Sequence, residues 1–249
     1  MLFGKKKKNN AELGKIIVSE TASRQNIEGY NRLKDNILYM NADGTKKVIQ
    51  IESAVKGEAK TTVTCNLAVS LGLTDKKVVV LDLDFYRPRT HRMFNLSKDN
   101  GIAEYILGNK KLDEIIKHTE YKNVDLITRG AEIYNSSLVL VSDKFKGMIE
   151  ELKSKYDYIF LDCPPVLQVS DYIHISHISD GVLFMVCYAT TTKTQVAEAI
   201  KELKKNGANV LGTVFTMYDR KKDKNYYSGN YYDYTYGEAK DSNKEAVEE

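Results

Sequence analysis

Cysteine, proline and glycine are scarce in this chain. Its 249 residues include 3 Cys, 3 Pro and 15 Gly. The low Gly and Pro content excludes collagen-like and low-complexity chains, and a 42% hydrophobic content excludes a chain that is disordered throughout. The cysteines are odd in number, far apart and without a C-x-x-C pair, which argues against a disulfide framework or a zinc site and favours a reducing cytosol.

The sequence also lacks an excess of charge of one sign and any long apolar run. The formal net charge is +3, from 37 Lys and Arg against 34 Asp and Glu, which is too small to predict a nucleic-acid partner. The longest apolar run, Val182 to Ala189, falls far short of the ~20 residues that cross a bilayer. The N-terminus has the basic run Lys5–Lys8 but no apolar stretch typical of a signal peptide. We therefore expect a soluble intracellular protein.

Short apolar runs alternate with amphipathic segments along most of the chain. Strands separated by helices predict βαβ units, hence an α/β fold with a doubly wound, mostly parallel sheet and helices on both faces. We expect a flexible basic segment over residues 1–26, one domain over 27–217 and a disordered tyrosine-rich tail over 218–249. The predicted strands are Lys47–Ser53, Lys77–Leu83, Val124–Thr128, Tyr158–Leu161, Gly181–Cys187 and Asn209–Thr216. The predicted helices are Ile27–Met40, Thr61–Leu73, Ser137–Lys155 and Thr194–Asn206.

The first informative segment follows the first predicted strand and opens a helix. It runs from Ile51 to Thr62, and this context is the one that a phosphate-binding P-loop requires. Lys60 would reach the phosphates and Thr61 would bind Mg²⁺. Alanines at 54 and 59 replace the glycines of G-x-x-x-x-G-K-[ST]. The alternative interpretation of this segment is a solvated turn before a capped helix.

Carboxylates follow two further buried strands. Asp82 and Asp84 end the run of Val78 to Leu81, and Asp162 ends a similar apolar strand before Cys163-Pro164-Pro165. Ligands of open α/β sheets bind at the carboxyl edge of the strands, and an Asp there can hold Mg²⁺. Together with the Lys60-Thr61 segment, these carboxylates predict a nucleotide site at one crevice.

These segments resemble the bacterial tyrosine kinases of capsule and exopolysaccharide assembly, from about Glu28 to the end of the chain. The similarity lies in the core of the Walker A motif, in the Asp-x-Asp of the Walker A′ motif, in a Gly-Ile to Gly segment, and in a strand ending in Asp-Cys-Pro-Pro. These are Gly57 to Thr62, Asp82 to Pro88, Gly101 to Gly108, and Asp157 to Val166. The resemblance implies ATP and Mg²⁺ as cofactors.

The resemblance also implies the roles of the site residues. The nucleotide-binding set is Gly57, Glu58, Ala59, Lys60, Thr61 and Thr62, and the catalytic set is Lys60, Asp82, Asp84 and Asp162. Thr61, Asp82 and Asp162 would hold the metal, Asp82 would be the base, and Asp84 would support the metal shell. The chain departs from the family where Lys56, Ala59 and Tyr86 replace Pro, Gly and Arg. It also has Glu28, Asn31 and Lys34 in place of the ring-assembly motif E-x-x-R-x-x-R.

The C-terminal segment carries a tyrosine cluster without other apolar residues. Its members are Tyr226, Tyr227, Tyr231, Tyr232, Tyr234 and Tyr236. By itself such a segment is typical of a low-complexity aromatic tail. Beside a kinase-like P-loop, we interpret the cluster as phosphoacceptors, each phosphate adding about −1.5 to −2 charges.

The favoured hypothesis is an ATP-dependent protein-tyrosine kinase that phosphorylates its own tail cluster and regulates capsular or exopolysaccharide assembly or export. The alternatives are a partition-type deviant Walker ATPase and a catalytically weak scaffold of the same fold. The ATPases carry a signature lysine five residues before the P-loop lysine, where this chain has Val55. The resemblance further implies a membrane-anchored activator of the polysaccharide co-polymerase type, a tyrosine phosphatase, a homo-oligomer, and a cytoplasmic location at the inner face of the plasma membrane.

Overall fold

The computed structural model describes residues 15, 16, 18, 24–188 and 190–218. Most of the basic segment predicted over residues 1–26 lies outside this range, including Lys5–Lys8. The predicted tail lies outside it beyond Tyr218, and so do the six tyrosines of the cluster.

Helices and strands alternate along the described residues. The helices are α1 (Arg24–Met40), α2 (Lys60–Gly72), α3 (Thr90–Met93), α4 (Ile102–Ile106), α5 (Leu112–Ile115), α6 (Ser136–Val141), α7 (Asp143–Lys155), α8 (Asp171–Ser176) and α9 (Lys193–Lys205). The strands are β1 (Val48–Ser53), β2 (Val78–Asp82), β3 (Lys117–His118), β4 (Val124–Ile127), β5 (Tyr158–Asp162), β6 (Gly181–Cys187) and β7 (Val210–Thr216). No helix in this part of the chain is long and apolar enough to cross a membrane.

The strands form one sheet in the order β3-β4-β2-β5-β1-β6-β7. Every pairing is parallel except that of the two-residue β3 with β4, which is antiparallel. Alternate residues of a strand face opposite sides of a sheet. Ile159 therefore packs with α7 in one core cluster, whereas Phe160 packs with α2 in another. The predicted doubly wound, mostly parallel α/β fold is confirmed.

The predicted single helix over Ser137–Lys155 is wrong. The chain breaks at Ser142, whose backbone is extended (φ −65°, ψ 142°) between α6 and α7. The Ser142 hydroxyl accepts a hydrogen bond from the Phe145 N–H at 3.1 Å and so caps a new helix. Serine favours this capping position because its side chain satisfies an N–H that has no partner within the helix. The short elements α3, α4, α5, α8 and β3 were not predicted, since each is too short to show a periodicity.

Two helical glycines test how closely the sheet and its helices pack. A Cβ on Gly72, at the end of α2, would lie 2.5 Å from the Lys122 carbonyl oxygen and 2.7 Å from Val124 Cγ2. A Cβ on Gly147, in α7, would meet nothing within 4 Å. We expect Gly72→Ala to lower the free energy of unfolding by about 1–3 kcal/mol, because the contacting backbone cannot move aside. Gly147→Ala should raise it by about 0.5–1 kcal/mol by reducing the entropy of the unfolded chain. Urea denaturation of both variants measures these changes, and equal effects would contradict the packing described.

Candidate nucleotide site

Three adjacent strands bring the predicted site residues to one edge of the sheet. The strands β2, β5 and β1 are neighbours in that order, and all three are parallel. Their carboxyl ends carry Asp82, Asp162 and Ser53, and Asp82 is the register partner of Asp162. The convergence predicted from the sequence is present in the structure.

The loop between β1 and α2 has the backbone shape of a phosphate-binding turn. Gly57 has φ 86°, and Ala59 is left-handed with φ 62° and ψ 22°. The helix α2 begins directly after Ala59, and no side chain caps its first turn. Because the first N–H groups of a helix have no partner within it and its N-terminus is positive, this turn suits an anion.

Lys60 is the first residue of α2 and is 8% exposed. Its ammonium donates to the Ser53 hydroxyl at 2.8 Å, and that hydroxyl donates to the Val55 carbonyl at 2.9 Å. Ser53 therefore holds the cation at the mouth of the loop, where a phosphate group would meet it. The sequence contained Ser53 at the strand end, but nothing in its spacing indicated this contact.

Thr61 and Asp162 meet across the crevice. The Thr61 hydroxyl donates to Asp162 Oδ2 at 2.7 Å. Thr62, the next residue of α2, accepts a hydrogen bond at its carbonyl from the Asn66 amide at 2.8 Å. Two of the three predicted metal ligands are therefore in direct contact.

Asp82 is oriented by three donors on one of its oxygens. Its Oδ2 accepts from the N–H groups of Arg89 and Thr90, each at 3.0 Å, and from the Thr90 hydroxyl at 2.6 Å. Asp84 lies beyond the end of β2 and accepts the Arg87 N–H at 2.9 Å, which closes a turn. Asp84 is partly exposed, whereas Asp82 is fully buried.

The remaining oxygens of the two buried aspartates have no hydrogen-bond partner among the described residues. These are Asp82 Oδ1 and Asp162 Oδ1. Burial raises the pKa of Asp162, and the neighbouring Asp82 charge raises it further. Burial likewise raises the pKa of Asp82 against the lowering effect of its Thr90 hydrogen bonds. Two buried carboxyls with one free oxygen each are an arrangement that a cation stabilises.

This donor set fits Mg²⁺. Magnesium takes oxygen ligands and is commonly bound by one or two carboxylates together with substrate phosphates and waters. The Thr61 hydroxyl and the free oxygens of Asp82 and Asp162 supply such donors. The site offers two carboxylates and one hydroxyl, and the part of the chain that the structure describes contains no group of three or more His, Cys, Asp or Glu arranged to hold a metal ion.

Glu58 lies in the loop, but both of its carboxylate oxygens already accept hydrogen bonds from protein groups. Oε2 accepts the Val55 N–H at 2.8 Å, and Oε1 accepts the Cys187 N–H at 3.2 Å and the Thr191 hydroxyl. The side chain is buried, with the residue 1% exposed. Any contact of Glu58 with a nucleotide would therefore involve its backbone N–H.

Sequence reasoning did not identify the residues that support the site from behind. They are Ser53, Thr90, Cys187, Thr191 and Thr216. Val166 also supports the loop, because its N–H donates to the Ser53 carbonyl at 3.0 Å. The polarity of Ser53 and Thr90 next to apolar residues was the feature of the sequence that could have indicated their roles. No spacing rule predicts that residues 187–216 contact the loop.

A family model described as an AAA domain matches residues 46–212. Tyrosine-protein kinase ptk of Acinetobacter johnsonii is 31% identical over 216 residues, which cover 87% of this chain and 29% of that protein. Tyrosine-protein kinase YwqD of Bacillus subtilis is 28% identical over 210 residues, covering 84% of this chain and 89% of that one. The chain belongs to the AAA-domain family, and these relatives are named tyrosine-protein kinases of bacteria. The chain spans about three tenths of the length of the first relative and most of the second.

Solved structures show the same relation. The kinase domain of the Escherichia coli tyrosine kinase ETK matches with a TM-score of 0.73 and 27% identity, over 76% of this chain and 74% of that one. The septum site-determining protein MinD of Pyrococcus horikoshii, solved with Mg-ADP, matches with a TM-score of 0.60 and 28% identity, over 70% and 71% of the two chains.

The altered ring-assembly motif lies on α1. Glu28 accepts a hydrogen bond from Arg32 Nε at 3.0 Å, with both side chains exposed. Lys34 approaches Asp35 at 3.4 Å. Arg32 lies one residue beyond Asn31 on this helix, and the link of Glu28, Asn31 and Lys34 to assembly stays a prediction.

Ala59 provides a test of the loop conformation. A left-handed backbone disfavours alanine by about 1 kcal/mol relative to glycine, because its Cβ approaches the carbonyl oxygen. We expect Ala59→Gly to raise the free energy of unfolding by about 0.5–1 kcal/mol. The matched control is Ala197→Gly, an exposed position within α9, where glycine should lower it by a similar amount. Denaturant titration gives both values, and a loss of stability in both variants would show that Ala59 is not left-handed in solution.

Glu52 provides a pH test beside the site. It is fully buried in β1, and its Oε1 accepts the Gln50 amide at 2.7 Å. Burial raises the pKa of Glu52 from its ordinary value of 4.5 to about 8. Since the folded chain binds this proton more tightly than the unfolded chain, the stabilisation is complete below about pH 4.5 and is lost as the pH rises through 8.

Replacing Glu52 with glutamine removes this titration while keeping the shape of the side chain. Between pH 5 and 8, we expect wild-type stability to fall relative to Glu52→Gln by about 1 kcal/mol per pH unit. Titrating groups that do not interact with Glu52 act equally in both proteins and cancel in the difference, whereas Asp162 and Lys60 interact with it electrostatically and contribute to the measured change. Parallel curves of unfolding free energy against pH would refute a protonated Glu52.

Proposed function

We propose that this chain is an ATP-dependent protein-tyrosine kinase that phosphorylates the tyrosine cluster of neighbouring copies. The observation that carries the proposal is the meeting of Lys60, Thr61, Asp82 and Asp162 at one sheet edge beside a left-handed phosphate-binding loop. Similarity to bacterial proteins named tyrosine-protein kinases supports tyrosine as the acceptor. The MinD structure with Mg-ADP supports nucleotide and Mg²⁺ as cofactors.

Each residue has a distinct role in this proposal. The loop N–H groups and Lys60 bind and neutralise the phosphates of ATP, while Thr61 and Asp162 hold the metal. Bound Mg²⁺ would supply further charge neutralisation at the phosphates. Asp82 accepts the phenol proton as the tyrosine oxygen bonds to the γ-phosphorus and the bond to ADP breaks. Phosphoryl transfer depends mainly on positioning and charge, which these buried groups provide.

The last described strand ends beside the P-loop, and we propose that the segment after it is phosphorylated between copies. β7 is parallel to β6, so it ends at the same edge as the P-loop, and the Thr216 hydroxyl donates to the Glu58 carbonyl at 3.1 Å. A flexible chain spans about 5–6 Å × √n, which allows acceptor tyrosines to reach a neighbouring crevice. In a homo-oligomer this neighbour is at high effective concentration. Accumulated phosphate charge would then loosen the assembly.

Regulation of capsular or exopolysaccharide assembly completes the proposal. We expect a membrane-anchored activator of the polysaccharide co-polymerase type to hold this chain at the inner face of the plasma membrane, and a tyrosine phosphatase to reset it. These partners rest on the family resemblance. Val55 stands where a partition-type ATPase has its signature lysine, which ranks that alternative lower.

The deciding experiment mixes two variants. One is Lys60→Met with all tail tyrosines intact, and the other has an unchanged P-loop with Tyr226, Tyr227, Tyr231, Tyr232, Tyr234 and Tyr236 replaced by Phe. With Mg-ATP, intact mass should show phosphate on the Lys60→Met chain, at a rate that increases with concentration. Lys60→Met incubated alone is the control and should stay unmodified, because it cannot neutralise the transferring group.

Two other results have definite meanings. If phosphate appears only on chains whose own P-loop is unchanged, transfer between copies is excluded. If no chain gains phosphate and the Kd for fluorescently labelled ADP lies far above the micromolar range, the scaffold alternative would be favoured. Recovery of ADP binding in Ala59→Gly would then identify the alanine Cβ as the cause.

A further inference from the structure

The carboxylate of Glu58 joins the P-loop to the end of β6 and to the segment after it, neither of which contributes a predicted site residue. The loop belongs to the β1–α2 connection, whereas Cys187 ends β6 and Thr191 lies in the turn that follows it. Both Glu58 oxygens accept hydrogen bonds, from the Val55 N–H on one side and from Cys187 and Thr191 on the other. Several donors that converge on one buried carboxyl group fix the geometry of the segments that carry them.

The backbone of the same residue makes a second link. The Glu58 carbonyl accepts the Thr216 hydroxyl at 3.1 Å, and Thr216 ends β7. Cys187 also lies 3.5 Å from Met217 through their sulfur atoms. Glu58 therefore connects the P-loop, the turn after β6 and the last strand before the tail. We call these contacts of Glu58 with Val55, Cys187, Thr191 and Thr216 the brace.

We infer that Glu58 is a positioning residue whose brace holds the P-loop in its phosphate-binding shape. Nucleotide binding and formation of the brace contacts therefore stabilise each other. The inference rests on the proposed function in that it takes the loop to bind phosphates. The loop has little regular structure of its own and contains a left-handed alanine, so its shape depends on contacts from outside. Ser53 and Val166 support its beginning, and the brace supports its centre.

A glutamine at position 58 breaks the brace without changing its size. A glutamine amide has one acceptor oxygen and one NH₂ donor group. Its NH₂ group would therefore point either at the Val55 N–H or at the donors of Cys187 and Thr191, and no hydrogen bond could form on that side. Loss of a hydrogen bond to a charged group, with a buried partner left unsatisfied, weakens an interaction by about tenfold or more. We expect Glu58→Gln to raise the Kd for Mg-ADP by about tenfold or more.

Thr191 offers a matched pair of variants outside the loop. Thr191→Val keeps the shape and removes the hydroxyl donor, and it should raise the Kd for Mg-ADP by about threefold or more. Thr191→Ser keeps the hydroxyl and should bind within about twofold of wild type. This pair also preserves the test if Glu58→Gln does not fold, which circular dichroism and thermal unfolding would show.

Cys187 gives a readout that does not depend on activity. Cys187 is 1% exposed, and the other two cysteines, Cys65 and Cys163, are 0% exposed. Iodoacetamide labelling located by peptide mass should therefore be slow at all three. Glu58→Gln and Thr191→Val should speed labelling at Cys187 alone, because only this cysteine lies in the brace. Mg-ADP should slow Cys187 labelling in wild type, since coupling between two sites is reciprocal.

The variant Lys60→Met distinguishes a loss of nucleotide affinity from a loss of the brace contacts, because Lys60 is not part of the brace. It should lose Mg-ADP affinity, yet without nucleotide its Cys187 should be labelled at the wild-type rate. A folded Glu58→Gln or Thr191→Val chain with wild-type Kd, or with wild-type Cys187 labelling, would overturn the inference. If the wild type itself bound no Mg-ADP, the proposed function would fail and so would the coupling, whereas faster Cys187 labelling in Glu58→Gln would still support the brace.

Discussion

The burial of two aspartates side by side is the constraint on which the site depends. Asp82 and Asp162 are register partners on adjacent parallel strands, and each keeps one oxygen without a hydrogen-bond partner in the described part of the chain. Desolvation and mutual repulsion both disfavour two charges here. Thr90, Thr61 and the nearby Lys60 offset part of this penalty. The fold thus maintains a pair of carboxyls that becomes favourable when a cation and phosphates are present.

The loop that would receive those phosphates is stabilised by its neighbours more than by its own sequence. Ser53 links Lys60 to the start of the loop, Val166 holds the end of β1, and Glu58 connects the loop to β6 and β7. These contacts hold Ala59 in a conformation that alanine by itself disfavours. Alanine in place of glycine at position 59 therefore keeps the shape of the loop, and it raises the conformational energy of that shape.

A parallel sheet also decides where the rest of the chain can act. Since β1, β2, β5, β6 and β7 run in the same direction, their carboxyl ends share one edge. The P-loop, the aspartates and the residues before the tail consequently lie at this edge. The last described residues, Met217 and Tyr218, follow β7 and so lie at the edge that carries the candidate nucleotide site.

The sequence by itself determined the class of the fold, and it predicted the residues that the sheet brings together at the candidate site. Uniformly apolar runs such as Val78–Leu81 indicate strands buried on both faces, and polar residues directly after such runs indicate the functional edge. Lys60, Asp82 and Asp162 were accessible to this reasoning because each is tied to a local pattern. The break at Ser142 was not, since its capping bond competes with a helical periodicity that continues through it.

Only the tertiary structure decided which residues support that edge. Glu58 looked like a nucleotide contact in the motif, but its carboxylate is bonded to Cys187 and Thr191, more than a hundred positions away. Ser53 and Thr90 likewise gained their roles through contacts with Lys60 and Asp82. Such partners are set by the order of strands in the sheet and by the direction of buried side chains, and neither leaves a periodic trace in the sequence.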